Sequence, residues 1–152
     1  MEPRSSSDAA EEPPQSVTVL DPRWHRLVRD PVRIVRAALG GVSAQVVLAD
    51  DRTLKALNAR YRPHGPIGSN RPTNVLTFDA TREIVLASGT VAREARAARR
   101  SPAHHLAHLV VHGALHLEGH LHDGPGEARR MEMAEARRLA RFGVPNPWKP
   151  RA

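Results

Sequence analysis

A chain of 152 residues is long enough to bury one real core, and with 40% apolar but only 3% aromatic residues that core must be aliphatic. The absence of cysteine excludes disulfides and thiol redox chemistry, and no apolar run reaches the ~18 residues of a membrane span. Lys and Arg outnumber the acids 23 to 16, for a net charge of +7 that is carried almost wholly by arginine, so the expected partner is a polyanion, chiefly nucleic acid.

Residues 1–15, with Ser5-Ser6-Ser7, Glu11-Glu12 and Pro13-Pro14, have the composition of a disordered tail. A single domain is expected over 16–143, with a short tail over 144–152. Val17 to Leu20 predicts a first strand. Asp21-Pro22 opens a helix expected to run to Leu39 and stop at Gly40-Gly41. Ala44 to Ala49 predicts a buried strand, and Asp50-Asp51 caps a helix carrying Leu54, Leu57 and Tyr61 at helical spacing. A Gly- and Pro-rich loop, Pro63 to Pro72, is long enough to suggest function. Asn74–Phe78 and Glu83–Ala87 predict two more strands. Helices follow from Ala92 to Ala98, from Ser101 onward, and from Gly126 to Arg141, before Pro145 and Pro147 break the chain near Trp148. The expected fold is α+β, a small mixed sheet of about four strands covered by helices.

The chemistry concentrates in the third-last segment. Seven of nine histidines lie between His104 and His122. His112 and His116 are four apart, which puts both rings on one helical face. Gly119 is a natural stop, after which the chain can turn back with another ligand. His108 lies eight residues from His116, about 12 Å along a helix, too far to share one ion through bonds of ~2.0–2.1 Å. Spacing alone does not separate His120 from His122. Geometry leans to His122, because His120 follows Gly119 directly and has little chain in which to swing back. His104 and His105, behind the Ser101-Pro102 helix start, are expected to be solvated or interfacial.

Three neutral nitrogens without thiolates suit zinc, in a site left open for water or substrate. Zinc proteases carry a Glu beside the first His as general base; here that position is Gly113, and Glu118 falls on another side of the helix. Peptide cleavage is therefore disfavoured.

The run His112-Gly-x-Leu-His116-Leu-x-Gly-x-x-His122 resembles the signature of the YbeY-type endoribonucleases, the bacterial ribosomal RNA maturation factors. Leu57-Asn58-x-x-Tyr61-Arg62 followed by Thr73-Asn74-Val75-Leu76-Thr77-Phe78 resembles that family's second motif, and the likeness spans roughly residues 17–142. The resemblance implies a zincin-like HxxxH helix, one zinc per chain held by His112, His116 and His122, and Arg62 lining the active cleft. It implies cleavage of single-stranded RNA, with roles in maturing the 3′ end of 16S rRNA and in ribosome quality control. The partners would be a ribosomal RNA precursor and the ribosome's small-subunit proteins, in the cytoplasm, away from any membrane. Arg71 is a weaker candidate for backbone contact, and Arg60 is expected only to be solvated. Two other classes remain open: a ribosome-associated RNA-binding factor with a structural metal, and a metallohydrolase of a small substrate.

Overall fold

Four strands and six helices are found among the residues described by the computed structural model, which are 14–61, 74–120 and 124–148. In chain order they are β1 (Gln15–Val19), α1 (Trp24–Leu27), α2 (Pro31–Leu39), β2 (Ala44–Ala49), α3 (Asp51–Tyr61), β3 (Val75–Phe78), β4 (Glu83–Ala87), α4 (Ser88–Ala97), α5 (Pro102–Leu117) and α6 (Pro125–Ala140). Arg62, Arg71 and His122 lie outside the described residues, as do 1–13 of the expected tail. None of the described helices is long and apolar enough to cross a membrane.

The sheet runs β1-β2-β4-β3, with parallel pairing across β1, β2 and β4 and an antiparallel β3–β4 hairpin. It is the expected mixed sheet. Side chains alternate across it. Val46 and Leu48 on β2 pair with Ile84 and Leu86 on β4, and all four enter the main core with α2, α5 and α6. The residues between them, Val85 with Ala49 and Ala87, face the other way and pack with Leu54 in a smaller cluster that also gathers Leu57, Leu76 and Phe78. Both faces of β4 are therefore covered, which explains why Ile84 to Ala87 is a continuous apolar run rather than an alternation.

Helix α5 runs through the middle of the molecule, packed on α2, α4, α6 and the β3–β4 hairpin. Ten of its sixteen residues are buried, so the run Leu109-Val110-Val111 touches neighbours all round. The tightest contact is at Gly113. A Cβ built there would stand 3.0 Å from Cδ1 of Ile84 and 3.1 Å from its Cγ2. Glycine lets the helix lie directly against β4.

Several expectations need correction. The helix expected from Asp21 to Leu39 is two helices. Proline at 31 has no N–H to continue a helix, and Asp30 before it takes φ 100° and caps the new start by accepting from the Arg33 N–H. The first strand begins at Gln15, inside the segment expected as tail. Helix α4 starts at Ser88, straight off β4, four residues before Ala92. The C-terminal segment is docked: Val144 is buried, and its N–H donates to the Leu139 carbonyl.

A buried polar contact ties the segment before α1 to the start of α4. The Ser88 hydroxyl donates to Asp21, which is nearly inaccessible. That hydrogen bond, chiefly, holds the Asp21 carboxyl below its ordinary value; burial pushes it up, and the Arg23 N–H and guanidinium pull it down. A carboxyl depressed in the folded state contributes stability that is complete above about pH 4 and lost as pH falls further. Ser88→Ala should cost about 1–3 kcal/mol at neutral pH and flatten this acid limb, read by urea titrations at several pH values.

Gly113→Ala tests the close approach. Helix propensity alone favours Ala by ~1 kcal/mol, but overpacking against a fully buried Ile84 costs ~1–3 kcal/mol. The expected sign is net destabilisation. Ile84→Val removes the nearest methyl and should reduce the cost of the same Gly113→Ala change in a double-mutant cycle.

Candidate active site

Helix α5 is fixed at both ends. Ser101 accepts from the His104 N–H and Pro102 opens the first turn, as the sequence suggested. At the far end Gly119 takes φ 95°, its N–H bonds the His116 carbonyl, and the His120 N–H reaches the Leu115 carbonyl. This is a Schellman closure, and it ends the helix where Gly119 was expected to stop it.

His112 and His116 share the exposed face of the last turns, with side chains 31% and 33% accessible. His112 is held from behind. Its Nδ1 lies 2.6 Å from Oε2 of Glu135, a carboxylate on α6 only 1% exposed. The second oxygen of Glu135 accepts from His108 Nε2 and from Trp148 Nε1, each at 2.8 Å. Burial pushes the Glu135 carboxyl up, but the bonds and charges of His108 and His112 outweigh it and bring it down to about 2. An ionised carboxylate can only accept. His112 therefore donates from Nδ1, and in the neutral ring the lone pair sits on Nε2, at the opposite edge. Carboxylate–imidazole pairing of this kind is what orients a metal-binding histidine. His116 Nε2 lies 3.7 Å from Asp79 on the turn after β3.

The donor chemistry of His112 and His116 thus fits a metal. Among the described residues no third His, Cys, Asp or Glu joins them. The expected third ligand, His122, and the expected cleft arginine, Arg62, lie outside those residues. His120 is half-buried and enters the helix closure through its backbone.

The remaining histidines are not background. His105, expected to be solvated or interfacial, is buried because α4 covers it and supplies Glu94, 2.9 Å from its Nε2. Burial lowers the His105 pKa, against the raising effect of Glu94. Arg100 sits between the two buried rings, its NH1 3.4 Å from His105 Nδ1 and 3.2 Å from His108 Nδ1. Asn74 joins the same network by donating to Glu94. A carboxylate at position 74 would have faced another carboxylate there.

Glu135 was missed from the sequence, yet a signal existed. It lies midway between Met131 and Leu139, on the stripe of α6 that enters the core. A charged residue at such a position needs partners. Trp148, read as tail, is one of them. The two positions weighed for a general base are also placed. Glu118 is exposed and paired with Arg138, and a side chain at 113 would point into Ile84 rather than the cleft.

Residues 14–143 match the family described as Endoribonuclease YbeY. The chain belongs to the YbeY endoribonuclease family. It is thereby placed among RNA-cleaving hydrolases. A YbeY endoribonuclease of Gluconobacter oxydans is 45% identical over 150 residues, covering 88% of this chain and 86% of that protein. The YbeY endoribonuclease of Nitrobacter winogradskyi is 36% identical, covering 83% and 72%. A solution structure of a Thermotoga maritima protein shares the fold, with a TM-score of 0.51, 23% identity, and coverage of 84% and 91%.

If Glu135 organises this site, truncation should be severe. Glu135→Ala leaves three inward donors unmatched, for an expected loss on the order of 3–5 kcal/mol in denaturant titration. Glu135→Gln should cost less, about 1–3 kcal/mol. Losses below ~0.5 kcal/mol for both would show that the carboxylate organises nothing.

Proposed function

We propose that the protein is a zinc-dependent, single-strand-specific endoribonuclease that matures the 3′ end of 16S rRNA and serves ribosome quality control. One ion per chain is held by His112, His116 and His122, and Arg62 acts on the substrate phosphate. The observation that carries this reading is the buried Glu135 fixing His112 beside a half-exposed His116 on the same helical face. Membership of the YbeY family supports RNA as substrate, and the net charge of +7 suits it.

When bound, zinc supplies Lewis acidity toward a phosphodiester oxygen or water. The chain's own groups do the rest. Glu135 holds the His112 ring so that Nε2 keeps its lone pair. Arg62, a fork of fixed charge, pairs a phosphate and offsets the negative charge that grows in the transition state. Position 113, which carries the base in zinc proteases, has no side chain here and lies against Ile84. The reading places the enzyme in the cytoplasm, on ribosomal RNA precursors and in reach of small-subunit proteins.

Metal analysis of purified variants tests the ligands. About one zinc per chain is expected in the wild type, absent from His112→Ala, His116→Ala and His122→Ala, and kept in His108→Ala and His120→Ala. Retention in His122→Ala would remove that residue from the set. Glu135→Gln should weaken metal affinity ~10–100-fold without abolishing binding.

Cleavage of a single-stranded RNA tests the catalytic role. Arg62→Ala should fold, keep its zinc and lose cleavage, by ~10²-fold or more in kcat/KM. Equal cleavage by wild type, Arg62→Ala and His112→Ala would mean that a contaminating nuclease is acting. RNA binding with no cleavage by zinc-loaded wild type would instead support a binding factor.

A further inference from the structure

Three large apolar side chains are exposed among the described residues, and two of them, Met133 and Trp148, line one groove along α6. The groove holds about 300 Å³. Arg129, Met133 and Arg137 stand four residues apart, which places them along one helical face. Glu132 and Asn146 complete the polar lining, so two arginines face one acid. Neither arginine is engaged in an ion pair among the described residues.

Trp148 is half exposed, yet its ring is held. The indole N–H donates to Glu135, and the ring meets His108 edge-on, 5.5 Å between centroids at 88°. Its backbone N–H donates to Asn146. In a chain with 3% aromatics whose other tryptophan is fully buried, this is a half-exposed indole, tied by its N–H, in a groove that two arginines also line. A single carboxylate separates it from His112.

We propose that this groove is a subsite for the RNA substrate, in which the base of one unpaired nucleotide stacks on Trp148 and flanking phosphates pair with Arg129 and Arg137. Unpaired bases present a face that stacks on aromatic rings with little regard to sequence, whereas a duplex hides that face. The arginines add charge-assisted phosphate contacts. The inference rests on the endoribonuclease reading above and names how single-strandedness is sensed. Trp148 also acts as a positioning residue, because the same ring that would meet the base holds Glu135.

Binding separates stacking from that hydrogen bond. Trp148 fluorescence should be quenched by a short single-stranded RNA, less by an abasic strand of equal length, and least by a duplex. Trp148→Ala should raise the Kd for the single strand by about 5–100-fold, measured by anisotropy of a labelled strand. Trp148→Phe keeps a ring but lacks the N–H, and should bind within ~3-fold of wild type. If Phe is as weak as Ala, the ring serves only Glu135 and the proposal falls. Wild-type affinity in Trp148→Ala overturns it as well.

Arg129→Glu with Arg137→Glu should lower the slope of log Kd against log salt by roughly 1.4, and an unchanged slope would remove the phosphate contacts. A groove that takes a second copy of the chain would give a dimer by sedimentation and no quenching by RNA, which also overturns the proposal. The two readings fail separately. Cleavage with normal RNA binding by Trp148→Ala leaves the enzyme and removes the subsite; quenching and salt dependence without cleavage do the reverse.

Discussion

A carboxylate with almost no access to water is expensive unless every lone pair finds a donor. Glu135 finds three, from His108, His112 and Trp148, and they come from two separate parts of the chain. The helix that carries the histidines, the helix that carries the acid and the C-terminal segment must therefore dock together before the charge is satisfied. That requirement makes the geometry of His112 a property of the assembled fold. It also links stability to function, because the group that orients the ring is one whose loss would leave buried donors unmatched.

A second constraint works from the opposite side. Helix α5 can lie flush on β4 only because Gly113 has no side chain at the contact with Ile84. With its inner face pressed on the sheet, α5 turns His112 and His116 outward, where their side chains keep about a third of their surface. The two apolar faces of β2 and β4 serve the same end, one packing under α5 and the other under α3. The polar site is thus the margin of a tightly packed interior.

The sequence exposed the periodic parts of this arrangement. The strands at 44–49 and 83–87, the mixed α+β character, the start of α5 at Ser101 and its closure at Gly119 all follow from local rules of alternation and capping. The break at Pro31 is equally local: a residue without an N–H, behind an aspartate at φ 100°, opens a new helix inside the span that Asp21-Pro22 and Gly40-Gly41 bracket. What could not be seen was pairing at long range. Nothing near Glu135 in the sequence says that its partners stand 27 residues before it and 13 after it. The same holds for His105, whose burial depends on Glu94 and on the way α4 folds over it.

Arg100 fixes the tautomers of two buried histidines of α5. A guanidinium can only donate, so the Nδ1 atoms of His105 and His108 that it faces must accept. Their Nε2 atoms must then carry the protons given to Glu94 and Glu135. Both nitrogens of each ring are committed, and no lone pair is left over for an ion. His112 has the opposite tautomer, with its proton on Nδ1. One partly buried guanidinium thereby sets opposite tautomers on side chains of the same type along a single helix, four residues apart.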